Sequence, residues 1–308
     1  MKINVVLPFD NLNAGDEFMS LEAITSIAPF IERLGFNGVN VTDHPCPSAK
    51  WLDNGGHYAQ DPFVVLSMVA ACTQQLKLCT GILVLPYRNP FITARAIASL
   101  DYLSNGRLMM GFGAGYMKGE YYALGADFEA RNDTMDEYLQ ALKLALSGED
   151  FSFKGTGYEA RNCRILPTSK QRPHPPFLMG GNSPRAMRRA AELADAWYPF
   201  FTAPVISATA RTAQINSIAD LAKAKQYLLN HCEKINRQEP PFLMTGSIKA
   251  PGEQLSHAQY LDKIGQLADL GVSVTCYAPQ GDTRQAWCDD LQQFAEEVLN
   301  KLPKEKTP

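Results

Sequence analysis

Residues 107–120 read RLMMGFGAGYMKGE, an apolar run that passes directly into three alternate glycines, Gly111, Gly113 and Gly115. A dinucleotide turn in an open doubly wound sheet requires G-x-G-x-x-G with an acidic residue about 20 positions further on. Here Tyr116 stands where the third glycine belongs. A phosphate-gripping P-loop requires G-x-x-x-x-G-K-S/T, and Gly119-Glu120 does not supply the lysine and hydroxyl. The glycines therefore belong to the end of a strand, where a missing Cβ lets backbone approach something flat and closely held.

Working outward from this strand, the same unit recurs in both directions. Residues 2–8 read as a buried strand closed by Pro8. Residues 20–35 carry Leu21, Ile24, Ile27, Ile31 and Leu34 at helical spacing, with Gly35 where a C-cap belongs. A strand at 38–42, a helix near 62–74, a strand at 76–84, a helix at 91–103 opened by Asn89-Pro90 and the strand at 107–112 follow. Beyond an irregular stretch at 150–175, expected to be a surface excursion, strands at 176–179, 196–200, 241–245 and 272–277 alternate with helices at 184–194, 217–235, 256–270 and 284–300. Eight strands and eight helices predict a closed (β/α)₈ TIM barrel, and the absence of any composition break predicts one domain over residues 1–308. Function in this architecture belongs to the loops at the C-terminal ends of the strands. The long ones follow the second strand (43–61), the fourth (111–131), the sixth (201–216) and the seventh (246–256).

Composition narrows the partners. The 308 residues are 45% hydrophobic with a formal charge of −3 and no basic run longer than Arg188-Arg189, which leaves no footprint for nucleic acid or an anionic membrane. The most apolar run, near 63–72, is far short of a bilayer span, and the immediate start of the first strand points to a cytoplasmic protein without a signal peptide. Seven cysteines without C-x-x-C spacing read as reduced core thiols, and His57, His174, His231 and His257 show no metal-site spacing, so no metal is expected.

Three constellations stand at strand ends. In VTDHP (41–45), His44 is a candidate acid/base and Asp43 a candidate partner for it; alternatively, Asp43 caps a turn forced by Pro45 and His44 is a packed surface residue. In LMGGNSPRAMRRAAELAD (178–195), Gly180-Gly181 lead to Ser183 at an N-cap and Pro184 at N1, which makes either an anion seat with Arg185 close by or simply a well-capped helix. In LCTGILVLPYRNP (78–90), Gly81 marks a bulge, a close backbone approach or a packing glycine, while Arg88 reads as a solvent-facing loop residue.

Taken in order, GFNGVNVTDHP, TGILVLPYRNP, SLDYLSNGRLMMGFGAGY, HPPFLMGGNSPRAMRRAAELADAWYP and TARTAQINSIADL resemble the bacterial luciferase-like superfamily of flavin and deazaflavin oxidoreductases over nearly the whole chain. The resemblance implies a barrel with insertions, a tricyclic cofactor at its mouth, a homodimer, and hydride exchange with a small organic substrate. It places Asp43 and His44 beside the ring and a non-prolyl cis peptide at Gly81-Ile82 behind it. It gives Gly113 and Gly115 to cofactor binding, and Gly180, Gly181, Asn182 and Ser183 to the cofactor phosphate. The motif wording is closest to the coenzyme F420 branch, with FMN as the other option. An FMN-dependent monooxygenase served by a partner reductase, or a non-catalytic flavin-binding protein, are the rival functions. Known deazaflavin dehydrogenases carry a glutamate directly after the G-x-G turn; here Tyr116 follows, and Glu120 is the nearest carboxylate for the catalytic acid.

Overall fold

A computed structural model describes residues 1–9, 14–203, 207–208 and 211–303. The loop expected at 201–216 and the domain expected over 1–308 thus fall partly outside the described residues. Ten strands and ten α-helices are numbered here in chain order. The first half runs β1 (Lys2–Val6), α1 (Leu21–Leu34), β2 (Gly38–Val41), α2 (Ala49–Asp53), α3 (Pro62–Cys72), β3 (Lys77–Val84), α4 (Pro90–Leu103), β4 (Leu108–Gly113), α5 (Lys118–Ala123) and α6 (Arg131–Leu146). The second runs β5 (Phe151–Gly155), β6 (Tyr158–Cys163), β7 (Phe177–Gly180), α7 (Pro184–Leu193), β8 (Ala196–Tyr198), α8 (Ile218–Lys234), β9 (Phe242–Met244), α9 (His257–Asp269), β10 (Val272–Tyr277) and α10 (Arg284–Glu297).

Eight of these strands close a barrel in the order β1-β2-β3-β4-β7-β8-β9-β10, with β10 returning to β1. The neighbours are parallel, from Asn4 opposite Gly38 round to Lys2 opposite Val274. Parallel strands need a helical crossover and are covered on both faces, and β2 and β4 are buried along their whole length.

Local chemistry sets the helix ends. Ser20 caps α1 by accepting from the Ala23 N–H, and Gly35 ends it at φ +88°. Asn89 accepts from the Phe91 and Ile92 N–H groups ahead of Pro90 in α4. The sheet–helix layer carries most of the apolar core. A smaller cluster, including Cys79, Met109, Leu178 and Met244, fills the barrel itself.

The 150–175 stretch is not irregular throughout. β5 and β6 form an antiparallel hairpin turning at Gly157 (φ +82°), and its Phe151 and Tyr158 rings pack on Phe91 of α4 at 5.4 and 5.5 Å. The period-two alternation on either side of Thr156-Gly157 is the physical signal for it. The seven cysteines are all thiols, yet Cys46 and Cys163 are exposed rather than in the core. No described helix is long and apolar enough to cross a membrane.

Candidate active site at the barrel mouth

The register of β3 on β4 shifts between Thr80 and Leu83, and the Gly81-Ile82 peptide inside this bulge is cis, as the resemblance implies. The bulge also accounts for most of the glycines. A Cβ on Gly111 would sit 2.1 Å from the Thr80 carbonyl oxygen, one on Gly113 would sit 1.9 Å from Ile82 Cδ1, and one on Gly180 would sit 3.0 Å from Ile82 Cγ2. The close approach expected at these glycines is thus taken up by the protein's own chain: they form a socket for the bulge and the Ile82 side chain. Gly81 itself faces Asn40 Nδ2, which a Cβ would meet at 2.8 Å. Gly115 takes φ +68° and passes Val84 too closely for a side chain, since a Cβ there would lie 2.6 Å from Cγ1.

Asp43 and His44 leave the end of β2 in different directions. Asp43 does not orient His44: its Oδ2 accepts from the Val84 N–H at 2.9 Å and its Oδ1 from Arg88 at 2.8 Å. Arg88 is therefore an ion-paired residue rather than a solvent-facing one, also meeting Asp61 at 3.3 Å. Burial pushes the Asp43 carboxyl up, and the Arg88 charge and the Val84 N–H pull it back only in part. Successive side chains at a strand end diverge, so the neighbours in sequence serve separate tasks.

His44 pairs instead with Glu120, whose Oε2 lies 3.2 Å from His44 Nδ1. Glu120 sits in the first turn of α5 and is 0% exposed; His44 is 8% exposed. The carboxylate also accepts from the Tyr87 hydroxyl at 2.9 Å and the Cys46 N–H at 3.3 Å. Burial, with the Glu120 charge beside it, pushes the Tyr87 phenol well above its ordinary range, and Tyr116 moves the same way for the same reasons. The rings of Trp51, His57 and Tyr116 stand 4.8, 5.0 and 5.9 Å from the His44 ring. Tyr87, three residues beyond β3, was within reach of a strand-end reading. Trp51 and His57 carried no local signal, because the α2 excursion alone folds them back over His44.

At the other constellation, Ser183 caps α7 by accepting from the Ala186 N–H, and Gly181 adopts φ +118°. Asn182 departs from expectation. It is 1% exposed, its amide donates to the Phe200 and Ala213 carbonyls, and its Oδ1 accepts from the Phe200 N–H. Its side chain thus ties down the segment that follows β8 instead of facing the cavity. Gly180, Gly181 and Ser183 do line that cavity, together with Arg131, Arg185, Arg189 and Arg211. The same cavity, of about 650 Å³, is lined by His44, Glu120, Gly81, Ile82, Gly113 and Gly115. Among the described residues no group of three or more His, Cys, Asp or Glu side chains is placed to hold a metal ion.

The model of the luciferase-like monooxygenase family matches residues 1–227. The chain belongs to the luciferase-like monooxygenase family. It is 30% identical over 176 residues to an FMNH₂-dependent dimethylsulfone monooxygenase from Pseudomonas putida, a stretch covering 56% of this chain and 46% of that one. It is 28% identical over 179 residues, 57% of this chain and 48% of the other, to an F420-dependent hydroxymycolic acid dehydrogenase of Mycobacterium tuberculosis (strain ATCC 25618 / H37Rv). The matches thus span about half the length of these curated relatives. In fold, it superposes on the monooxygenase RslO1 of Streptomyces bottropensis with a TM-score of 0.79 at 19% identity, over 97% of this chain and 99% of that one. Luciferase-like relatives thus include one named for FMNH₂ and one named for F420.

Proposed function

We propose that this protein is an oxidoreductase that holds FMN or coenzyme F420 in the cavity at the barrel mouth and exchanges hydride between it and a small organic substrate. The observation that carries this reading is the buried His44–Glu120 pair, set in the wall of a cavity that also contains the Ile82 bulge and the Gly180–Ser183 turn. The residues fit a flat phosphorylated ring system. About 650 Å³ accommodates a drug-sized ligand, and Gly181 at φ +118° leaves backbone open beside the α7 N-terminus, where anions are favoured. When bound, a deazaflavin supplies hydride transfer alone, whereas reduced FMN also activates O₂.

The chain's own residues supply the proton chemistry. With Glu120 against Nδ1, the His44 tautomer carries its hydrogen there, and Nε2 gives or takes the proton. Tyr87 and the Cys46 N–H hold the carboxylate in place. Asp43 acts as a positioning residue, tying the end of β2 to Val84 just past the bulge. A homodimer in the cytoplasm belongs to the same reading.

The match to the P. putida monooxygenase favours a second reading, an FMN-dependent monooxygenase fed by a partner reductase. Titrating FMN and F420 separately, with cofactor fluorescence as readout, tests the common part: one of them binds with micromolar or better affinity. Absence of binding by either at about 100 µM removes the reading. Oxygen consumption by the reduced complex separates the two forms. A bound cofactor inert to every reductant and acceptor leaves only a carrier protein.

A further inference from the structure

A second cavity, of about 210 Å³, lies away from the mouth, between α8 and the segments that enter β9 and β10. Strands of a parallel barrel begin at the end opposite its mouth, so this cavity belongs to the far side of the molecule. Two periodicities build it. On β8, Ala196 and Tyr198 face the barrel interior while Trp197 faces the helical layer. On α8, Lys225, Leu228 and Leu229 stand one helical turn apart and share the face turned toward the cavity. Trp197, at 0% exposed, lies deepest, and Pro241 and Phe242 add to the apolar lining.

One charge stands in that lining. Lys225 Nζ donates to the Leu270 carbonyl at 2.7 Å, which leaves N–H donors to spare. It also lies against Gly271, which takes φ +83° and where a Cβ would be 3.1 Å from the ammonium. Among the described residues no carboxylate pairs with Lys225, and no acidic side chain lines the cavity.

We infer that this cavity binds a small aromatic monocarboxylate, with its ring against Trp197 and Phe242 and its carboxylate on Lys225. An apolar cavity of about 150 Å³ holds benzene, so the volume here has room for one such ring and one small polar group. Aromatic walls favour a flat occupant. A carboxylate supplies the counter-charge that Lys225 lacks, whereas a second carboxylate would be left without a partner. Apart from Lys225 the lining holds no acid, base or nucleophile, so the occupant is held and not converted. The two cavities share no lining residue. A single side chain joins them, since Trp197 Nε1 donates to the Gly181 carbonyl at 2.9 Å. An effector at the far end thus touches the indole that holds the turn ahead of α7.

The test is a ligand-detected NMR titration with benzoate as the probe, beside benzyl alcohol and acetate, on the native chain, Lys225→Met and Leu229→Trp. Native protein should bind benzoate with a dissociation constant of about 1 mM or below, and both benzyl alcohol and acetate at least about tenfold more weakly. Lys225→Met keeps the aliphatic stem and removes the charge, so it should weaken benzoate by about tenfold or more. Leu229→Trp fills the cavity and should abolish binding. Circular dichroism checks both folds, and the Lys225→Met comparison decides alone if Leu229→Trp does not fold. Absence of saturable benzoate binding to the native chain at about 10 mM would overturn the inference. So would benzoate binding unchanged in Lys225→Met or retained in a folded Leu229→Trp, which would place the probe elsewhere, such as among the arginines of the mouth.

Discussion

His44 Nδ1 and Glu120 Oε2 stand 3.2 Å apart although 76 residues separate them in the chain. One comes from the end of β2 and the other from α5, beyond β4, so only closure of the barrel brings them together. A buried carboxylate behind an imidazole stabilises the cation that forms when the ring takes a proton. His44→Ala should therefore slow hydride exchange by roughly 10² to 10⁴-fold, with cofactor affinity within a few fold of native. Glu120→Gln, which keeps the shape and removes the charge, should slow it as well. Stopped-flow absorbance of the bound cofactor measures both, and an unaltered rate in His44→Ala would reassign this residue to packing.

The socket around Ile82 gives two glycines of one strand different sensitivities. At Gly111 a methyl group would strike the Thr80 backbone carbonyl, which cannot rotate away, so Gly111→Ala should lower stability by about 1–3 kcal/mol. At Gly113 the atom met is Ile82 Cδ1, the end of a side chain that can rotate, so Gly113→Ala should cost less stability but weaken cofactor binding. Urea denaturation and a cofactor titration on each variant separate the two effects. Equal stability losses would show that Ile82 is as rigidly held as the backbone.

At Gly181 the limit is conformation more than space. A Cβ there would meet only Ala186 Cβ, at 3.2 Å, but φ +118° lies where side chains are strained. Gly181→Val should reshape the turn and weaken FMN far more than riboflavin. Both ligands are measured on the same variant after its fold is confirmed, and equal weakening would assign the turn to barrel packing.

Acid stability should carry the signature of Asp136. Its carboxyl is held below the ordinary value by Arg189 and Arg185 against the opposing effect of burial. Between the lowered folded value and the unfolded value of ~3.9, the unfolded chain binds more protons, so stability rises with pH. The contribution is complete above about pH 4 and is lost as pH falls through the folded value. Thermal unfolding of Asp136→Asn should show a lower melting temperature at pH 7 and a flatter decline below pH 4. An identical slope in both proteins would place the acid sensitivity elsewhere.

The sequence by itself determined the barrel and the addresses of its functional loops. Each βα unit is a local event: Ser20 and Gly35 bracket α1, Asn89-Pro90 open α4, and Ser183-Pro184 open α7, all through contacts within a few residues. Eight such units leave few ways to close a parallel sheet. The bulge at Gly81 was legible too, because a glycine inside an apolar strand stands out against its neighbours. The β5–β6 hairpin was equally local and was obscured only by the Gly, Pro and Arg content around it.

Partnership was decided by tertiary structure alone. Asp43 is adjacent to His44 in sequence but bonded to Val84 and Arg88, and the histidine's partner arrives from α5. Asn182 lies in the phosphate-seat motif but turns inward to Phe200 and Ala213. Arg131, at the start of α6, and Arg211, in the loop before α8, converge on Phe128. Capping and periodicity depend on backbone geometry over one or two turns, which residue order encodes directly. The direction in which a strand-end side chain points, and what meets it there, depends on how segments distant in the chain pack over the closed barrel.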